Sequence, residues 1–292
     1  MAKYDLHIHS TISDGQLNPY DIFRASKDLK LETISITDHN TIKAYEKFKE
    51  AAKKKQLDLI SGIELNAGDH ANFHILGYGI KDTDGLEAYL IKYKNSNIKP
   101  CLETLRLLRI NYNIDLPADE ITLAYSKSGI LDKNCIARAL ANEGHCSSIK
   151  EAYNLYIGRD AKAYSPIKKL YSQDVIKLIH AYGGVAVWAH PNLAKIRTEN
   201  GERFFTDDEL AQKVMQLKLV GLDGIECYNN NLPMQMEYLD YLAKENDLLK
   251  TGGTDFHSYK NTVSLGCEEV SEEDVYKLKQ KIKKNNCELE QN

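Results

Sequence analysis

Asp5-Leu6-His7-Ile8-His9-Ser10-Thr11-Ile12-Ser13-Asp14-Gly15 starts as an alternating apolar and polar strand and continues into a polar loop. Residues two apart in an extended strand point to the same face, so His7 and His9 lie together while Leu6 and Ile8 face the other way. One strand therefore offers two imidazoles to one ion, and the acid Asp14 follows closely. The stretch predicts a strand that ends at a metal site.

Five further clusters of metal-ligand residue types accompany apolar or β-branched runs elsewhere in the chain. These clusters are Thr37-Asp38-His39, Glu64, His74, Ala189-His190-Pro191 and Asp255-Phe256-His257. Six of the nine histidines therefore belong to predicted strand ends, which scattered surface histidines would rarely produce. The remaining three, His70, His145 and His180, are predicted to be ordinary solvated or packed residues.

The composition is that of a globular enzyme of one large domain. The chain has 292 residues, 42% hydrophobic and 27% charged, and its net charge of −4 gives no broad electrostatic footprint for duplex nucleic acid. Because it lacks a signal segment and an apolar run of the ~20 residues that span a bilayer, we expect a cytoplasmic protein without membrane contact. No obligate protein partner is indicated. The six cysteines are widely spaced without a Cys-x-x-Cys pair, which argues against a thiolate zinc site and a disulfide framework.

Strand patterns alternate with helix patterns, which is typical of a parallel sheet. Seven strands are predicted, over residues 4–9, 33–37, 57–65, 73–78, 184–188, 224–227 and 248–251. Helices are predicted over residues 19–30, 41–55, 172–182, 207–217, 234–246 and 271–285. Between strands four and five, helix patterns over 93–112, 134–143 and from 147 predict a helical insertion at residues 95–168. Residues 1–94 and 169–292 then form the main domain, and we expect the insertion to cap its active site.

Most candidate ligands lie where a predicted strand ends, and His74 is the exception because it lies near a strand's start. Active sites of βα barrels form at the carboxyl ends of the strands. The pattern therefore favours a closed or nearly closed barrel of about seven strands over an open doubly wound sheet. No Gly-x-Gly-x-x-Gly or Gly-x-x-x-x-Gly-Lys turn follows the first strand, so the nucleotide-binding folds that depend on such turns lose support.

The set His7-x-His9, Asp14, Thr37-Asp38-His39, Glu64, His74, His190 and Asp255-x-His257 resembles the polymerase and histidinol phosphatase (PHP) superfamily, from about residue 4 to residue 266. The resemblance implies an α/β fold, a distorted (β/α)7 TIM-like barrel, and the activity of a metal-dependent phosphoesterase. It also implies three metal sites. The first would use His7, His9, Glu64 and Asp255, the second Glu64, His74 and His190, and the third Asp14, His39 and His257. The catalytic residues would be His7, His9, Glu64, His190 and Asp255.

The helical insertion resembles that of one branch of bacterial phosphatases in this superfamily. Those enzymes act on nucleoside 3′,5′-bisphosphates, on 5′-mononucleotides such as 5′-AMP, or on short 5′-phosphorylated oligoribonucleotides. The resemblance rests on Ile136-Ala137-Arg138-Ala139-Leu140, Gly144-His145 and Ala152-Tyr153-Asn154-Leu155-Tyr156-Ile157-Gly158-Arg159. Where that branch commonly has Arg-Pro-His, this chain has Lys133-Asn134-Cys135, which keeps a positive charge but loses the bidentate fork of arginine. Lys133 and Arg159 are predicted to bind the substrate phosphate, and the alternative is that they are solvated charges on insertion helices.

Mixed imidazole and carboxylate ligands without thiolates suit Mn²⁺, Fe²⁺ or Zn²⁺, and the resemblance implies two to three such ions. Paired divalent ions can generate a hydroxide nucleophile near neutral pH and clamp phosphoryl oxygens, so hydrolysis of a small phosphate ester is the expected reaction. The general acid is unassigned, with a metal-bound water or His190 as alternatives. Asp38 is expected either to orient a ligand or to stabilise a turn. Glu226 is expected either to line the mouth of the site or to be buried or capping.

Three other functions remain open from the sequence. The same fold could act on another ester, such as histidinol phosphate, or as a phosphodiesterase for a sugar cyclic phosphate. An amidohydrolase-type barrel also begins with His-x-His, but it usually adds a bridging lysine on strand four, where this chain has His74 and no lysine. A non-enzymatic accessory domain of a DNA polymerase would be expected to have lost ligands, and all nine remain.

Overall fold

The fold is given by a computed structural model that describes residues 2–198, 201–229, 233–259, 264–267 and 269–291. The chain divides into two compact units, the first formed by Met1–Glu87 with Leu170–Asn292 and the second by Ala88–Lys169. None of the described helices is both long enough and apolar enough to cross a bilayer.

Nine strands occur in the described residues, all in the first unit. They are β1 (Tyr4–Ile8), β2 (Thr33–Ile36), β3 (Asp58–Asn66), β4 (His74–Tyr78), β5 (Val185–Trp188), β6 (Lys195–Thr198), β7 (Gly201–Phe204), β8 (Gly224–Tyr228) and β9 (Leu249–Gly252). Seven of them form one sheet in the order β1-β2-β3-β4-β5-β8-β9, while β6 and β7 form a separate antiparallel hairpin. These seven correspond to the seven strands that the sequence predicts.

The two edges of the seven-stranded sheet meet. Beyond the end of β9, Phe256 pairs with Ile8 in a parallel bridge, and its carbonyl accepts a hydrogen bond from the His9 N–H at 2.9 Å. At the other end of β1, the Cys267 N–H donates to the Tyr4 carbonyl at 2.8 Å. The sheet is therefore a nearly closed barrel, as predicted.

Helices follow most of the strands. In chain order they are α1 (Pro19–Asp28), α2 (Lys43–Lys54), α3 (Thr83–Ser96), α4 (Ile98–Tyr112), α5 (Ala118–Tyr125), α6 (Lys133–Asn142), α7 (Ile149–Ala152), α8 (Ser172–Ala181), α9 (Asp207–Leu219), α10 (Pro233–Glu245) and α11 (Glu272–Gln291). Those of the first unit cover the sheet: Ile22 and Phe23 of α1, for example, are buried in one cluster with Ile34 and Ile36 of β2. Because helices cover its outside, all five residues of β1 are buried.

One prediction about the sheet is wrong: β4 does not run parallel to its neighbours. It is antiparallel to both β3 and β5, and Glu64 pairs with Leu76 while Asn66 pairs with His74. Only residues 67–73 join β3 to β4, and a parallel connection needs a dozen or more residues to cross the sheet. The reversal brings the start of β4 to the edge where β3 ends, so His74 is no exception to the placement of the other ligands.

The second unit consists of helices that pack around a hydrophobic core of their own. Leu108 of α4, Ile136 and Leu140 of α6 and Ile157 are buried in one cluster. The predicted helix over 93–112 is two helices, α3 and α4, because Pro100 lacks the N–H that would bond the Ser96 carbonyl and its ring crowds that carbonyl. The Asn97 side chain at the break bonds the backbone of Lys168. Helix α5 and the β6–β7 hairpin were not predicted. The predicted insertion at 95–168 lies within this unit, and its capping role stays a prediction.

Candidate metal centre

The nine residues predicted as metal ligands lie together at one end of the barrel. Each has a nitrogen or oxygen atom within 3.5 Å of such an atom on another member. His7 and His9 come from β1 and the residue after it, Glu64 from β3, and His74 from β4. The other members, in the loops that follow β1, β2, β5 and β9, are Asp14, His39, His190, Asp255 and His257.

A first group has two imidazoles facing two carboxylates. The Glu64 Oε2 atom lies 3.3 Å from His7 Nε2 and 3.1 Å from His9 Nε2. The Asp255 Oδ1 atom lies 3.4 Å from His7 Nε2 and 3.1 Å from His9 Nε2. One ligand atom from each of the four residues lies within 4.8 Å of the other three, which is compact enough to surround one ion.

A second group uses the other oxygen of the same glutamate. Glu64 Oε1 lies 2.8 Å from His74 Nδ1 and 2.9 Å from His190 Nε2, and these two nitrogens are 3.3 Å apart. His39 also approaches, with its Nδ1 atom 3.2 Å from Glu64 Oε2. The Glu64 carboxylate therefore extends between two groups of imidazoles, one at each oxygen.

A third group surrounds the more exposed Asp14. The distances from its carboxylate oxygens are 3.4 Å to His9 Nδ1, 3.7 Å to His39 Nε2 and 3.5 Å to His257 Nε2. His9 takes part in this group through Nδ1 and in the first group through Nε2. The three groups are thus contiguous, linked through His9, His39 and Glu64.

The buried polar atoms of this centre fit a cation. Glu64 Oε2, Asp255 Oδ1 and His9 Nδ1 are buried without a hydrogen-bond partner in the described structure. Leaving such an atom unpaired costs about 1–3 kcal/mol, and ligation of a cation would remove that cost. The oxygen and imidazole donor set is the one that Mn²⁺, Fe²⁺ and Zn²⁺ accept.

The electrostatics favour the ionised carboxylates that metal binding requires. Burial alone would raise the pKa of Glu64, but His39, His74 and His7 lower that pKa well below its usual value. The pKa of Asp255 is lowered in the same way, because His7 and His9 outweigh the effect of its burial. Burial lowers the pKa of His39 to about 4, which leaves its imidazole neutral at physiological pH. Burial would lower the pKa of His7 and of His9, but the neighbouring carboxylates raise both well above the usual value, so these two rings would release protons when a metal binds.

Two of the ligand positions have unusual backbone conformations. His190 has φ 29° and Asp255 has φ 50°, a region that residues other than glycine rarely adopt. Such conformations persist where the surrounding structure holds them in place, and they are common at functional sites. Pro191 follows His190 directly and begins a short 3₁₀ turn.

Asp38 stabilises a turn, which is one of its two predicted roles. Its carboxylate accepts hydrogen bonds from the Ser10 N–H at 2.8 Å, the Ser10 hydroxyl at 2.7 Å and the Ser13 hydroxyl at 2.6 Å. These bonds fix the loop after β1, which carries Asp14.

Asp5 is a residue of the site that sequence analysis missed. It is fully buried and accepts hydrogen bonds from the Thr254 N–H at 3.0 Å, the Thr254 hydroxyl at 2.7 Å and the Gly266 N–H at 2.8 Å. It thereby ties β1 to the segment that carries Asp255. The signal was present in the sequence, since Asp5 shares the strand face of His7 and His9.

Glu226 is buried, which agrees with the second of its two predicted placements. One of its oxygens lies 2.8 Å from His7 Nδ1, and the other accepts a hydrogen bond from the His190 N–H at 2.7 Å. The carboxylate therefore contacts two of the predicted ligand residues without belonging to any of the three groups.

The two predicted phosphate-binding residues lie in the second unit. Lys133 begins α6 and is buried, and its ammonium donates to the Thr104 hydroxyl at 2.7 Å and lies 5.6 Å from the centre of the Tyr164 ring. Burial lowers the pKa of Lys133 to about 8. Arg159 is exposed. The alternative of a solvated charge is therefore wrong for Lys133, while phosphate binding by either residue stays a prediction.

A family model for the PHP domain matches residues 5–217. The chain belongs to the PHP domain family. The predicted family and enzyme class, a phosphoric ester hydrolase, are confirmed. The chain is 27% identical to a 5′-3′ exoribonuclease of Haemophilus influenzae over 271 residues, which cover 90% of this chain and 93% of the relative. It is 25% identical to a 3′,5′-nucleoside bisphosphate phosphatase of Chromobacterium violaceum over 268 residues, 88% of each chain.

A solved structure shares this fold. It is a Bifidobacterium adolescentis protein described as a metal-dependent phosphoesterase, and it superposes with a TM-score of 0.70 over 95% of this chain and 96% of its own, at 24% identity. At that identity the likeness shows the fold alone, which agrees with the predicted TIM-like barrel.

Proposed function

We propose that this PHP-family protein is a metal-dependent phosphatase of small nucleotides. Its substrates would be nucleoside 3′,5′-bisphosphates, 5′-AMP or short 5′-phosphorylated oligoribonucleotides. The observation that carries the proposal is the Glu64 carboxylate, whose two oxygens face two adjoining groups of imidazoles. Sites that hold paired metals about 3.5–4 Å apart are typical of phosphate ester hydrolysis. The names of the two sequence relatives, an exoribonuclease and a bisphosphate phosphatase, support the substrate class.

The ligand assignment that we propose follows the three groups. His7, His9, Glu64 and Asp255 would hold one ion and Asp14, His39 and His257 another. Glu64, His74 and His190 would hold a further ion, on the evidence of the contacts of both histidines with Glu64 Oε1. Bound divalent ions would neutralise phosphate charge and activate water as the nucleophile near neutral pH. Manganese, iron and zinc all suit these ligands.

The protein's own part in the reaction is to position groups and to supply charge. In the proposed scheme, Glu64 and Asp255 would ligate as carboxylates, the form that the lowered pKa of each already favours before a metal binds. The strained backbone at His190 and Asp255 fixes the directions from which these two side chains reach the centre. Lys133 and Arg159 would bind phosphate groups of the substrate by charge. Phosphoryl transfer needs little more than positioning and electrostatic stabilisation of this kind.

A second candidate is a phosphatase or phosphodiesterase for a non-nucleotide ester, such as histidinol phosphate or a sugar cyclic phosphate. Lys133 favours this candidate, because a lysine stands where the nucleotide branch commonly has an arginine. Lysine offers a point charge in place of the planar fork that binds phosphate with two hydrogen bonds.

The test is to measure product release with Mn²⁺ from five substrates. They are adenosine 3′,5′-bisphosphate, 5′-AMP, a 5′-phosphorylated trinucleotide, histidinol phosphate and a ribose cyclic phosphate. The Asp255→Ala variant gives the blank. Asp223→Asn gives the control for a general loss of stability, because the partners of Asp223, which are His180, Ala186 and Lys281, include no predicted ligand.

Fast turnover of one or more of the nucleotides by the wild type and the control, with a silent blank, is the expected result. Turnover restricted to histidinol phosphate or the cyclic phosphate would replace the first candidate by the second. No turnover of any of the five esters by the metal-loaded enzyme would contradict both.

A further inference from the structure

Glu226 is a buried carboxylate that lies behind the metal centre. It belongs to β8, has no exposed surface, and contacts residues that are 36 and 219 positions away in the chain. Its Oε1 atom lies 2.8 Å from His7 Nδ1, and its Oε2 atom accepts a hydrogen bond of 2.7 Å from the His190 N–H. Asn229 contacts the same Oε2 atom through its amide nitrogen at 3.4 Å.

The contact with His7 decides which ring nitrogen can bind a metal. An ionised carboxylate only accepts hydrogen bonds, so the His7 nitrogen that faces Glu226, Nδ1, must carry the proton. A His ring that binds a metal is neutral, so with the proton on Nδ1 its Nε2 would be free to bind, and Nε2 is the atom that faces Glu64 and Asp255. A carboxylate behind a ligating histidine commonly fixes the tautomer and orientation of the ring in this way.

The contact with His190 acts on the backbone. His190 has a positive φ of 29°, a conformation that costs of order 1–3 kcal/mol and needs support from its surroundings. The hydrogen bond from its N–H to Glu226 is a short one to a charged acceptor, which is the strong kind. It holds the residue whose imidazole lies 2.9 Å from Glu64.

The geometry points to Glu226 as a positioning residue for two metal sites at once, through the side chain of His7 in the first group and the main chain of His190 in the second. This inference rests on the proposed metal-dependent function and assigns a role to a residue outside the nine ligands. Glu226 would not touch the metals or the substrate. Its effect would be to give one tautomer to His7 and one backbone conformation to His190.

Glutamine at this position tests the need for two acceptors. Its side chain has the same shape but offers one acceptor oxygen and one donor NH₂ group. If the oxygen takes the His190 N–H, the NH₂ faces His7 Nδ1 and favours the tautomer with a proton on Nε2, where the metal should bind. If the oxygen faces His7, the NH₂ opposes the His190 N–H, and two donors meet. The first orientation therefore disturbs metal binding by His7, and the second disturbs the backbone that positions His190.

The experiment is a Mn²⁺ titration of the metal-free protein, with free Mn²⁺ counted by electron paramagnetic resonance. We expect Glu226→Gln to weaken Mn²⁺ binding by about 10- to 100-fold, the usual effect of losing such a partner. We expect Glu226→Asp, which keeps both acceptors on a shorter side chain, to bind Mn²⁺ more tightly than Glu226→Gln. If Glu226 only filled space, Glu226→Gln would bind Mn²⁺ more tightly than Glu226→Asp, since glutamine preserves the shape of the side chain.

Asp223→Asn is the matched control. Asp223 lies just before the same strand and also accepts from a histidine ring, His180 at 2.7 Å, and from a backbone N–H, that of Ala186 at 2.9 Å. Neither of those partners is a predicted ligand. We expect this variant to lose stability but to bind Mn²⁺ like the wild type.

A second measurement needs no variant that could fail to fold. In the zinc-loaded wild type, the ¹⁵N spectrum of the histidine rings should show a slowly exchanging proton on His7 Nδ1. Its absence would overturn the inference, as would unchanged Mn²⁺ affinity and stoichiometry in Glu226→Gln. Neither readout depends on turnover, so a wild type that binds metal but hydrolyses no phosphate ester would contradict the proposed function alone.

Discussion

Two side chains of the centre, those of His9 and Glu64, each face two of the three ligand groups. His9 faces one group through Nε2 and another through Nδ1, and Glu64 divides its two oxygens between two groups. Sequence patterns predicted which residues would meet, because strand ends of a barrel converge on one edge. They could not predict which atoms pair, since that depends on ring orientation, nor which residues the buried carboxylates of Asp5 and Glu226 contact.

Removal of a single ligand is expected to abolish turnover without unfolding the protein. His9→Ala and Asp255→Ala each take a ligand atom from the first group, and Asp255→Ala also removes one negative charge from a crowded site. The measurements are turnover at saturating Mn²⁺ and the circular dichroism spectrum. Wild-type turnover in either variant would contradict the metal mechanism.

Lys133 is expected to make stability depend on pH. Its folded pKa is about 8, below the ~10.4 of a solvated lysine, so between these values the unfolded chain binds a proton that the folded chain lacks. Stability should therefore rise as the pH increases from 7 to 9, and Lys133→Met should remove this rise. Urea denaturation of both proteins at pH 7, 8 and 9 measures the difference.

The difference in pH dependence between the wild type and Lys133→Met reports the titration of Lys133 alone. Burial raises the pKa of Cys101 and of Cys135 to about 11, which gives a slope of opposite sign, but both thiols are present in both proteins. Replacement of the exposed Lys150 by methionine should leave the wild-type profile unchanged. Parallel profiles for wild type and Lys133→Met would show that Lys133 titrates normally.

At the scale of elements, the closure of the barrel depends on close contact between β1 and the segment after β9. A Cβ atom added at Gly253 would lie 2.3 Å from the His7 backbone nitrogen and 2.4 Å from the His7 Cβ. Only glycine permits this approach, and it places Asp255 beside His7. The sequence shows the Gly252-Gly253 pair, but only the closed sheet shows why a side chain is excluded.

Gly253→Ala is expected to move His7 and to weaken Mn²⁺ binding, together with a loss of about 1–3 kcal/mol in stability, as for overpacked sites. A Mn²⁺ titration and urea denaturation measure the two effects. Gly144→Ala is the control, because its positive φ of 81° strains an alanine while no atom lies within 4 Å of the added Cβ. It should lose stability and keep its metal affinity, and an equal loss of affinity in both variants would argue against the steric explanation.

For the whole molecule, the sequence was sufficient for the family, the seven strands of the barrel and the clustering of the nine candidate ligands. It was insufficient for the β6–β7 hairpin, whose largely exposed strands lack the buried alternating residues that mark a strand. The helix break at Asn97 could have been deduced from Pro100, which cannot donate a hydrogen bond to the Ser96 carbonyl. The direction of β4 could have been deduced from the shortness of the connection before it.

Chelation of the metals is expected to lower the local stability of the strands that lead to the ligands, and to leave the helices of the second unit unchanged. Bound ions stabilise the folded state by mass action, by about 2.7 kcal/mol for one site at a hundredfold excess over its Kd. Hydrogen exchange should therefore rise in β1 and β9 when EDTA is added, because these strands lead to His7, His9 and Asp255. Helices α4 and α6 should keep their protection, and added Mn²⁺ should reverse the change. A uniform rise over both units would contradict this expectation.

The short connection between β3 and β4 has a consequence for how the protein is made. Glu64 and His74 belong to one hairpin, ten residues apart, so they meet at little cost in loop-closure entropy. His7 and Asp255 are separated by most of the chain. During synthesis, Glu64 and His74 of the second site are therefore expected to come together while the chain is still on the ribosome. The first site can form only after β9 and Asp255 have emerged. A nascent chain would meet its first metal with a partial set of ligands, and the barrel would close around the centre afterwards.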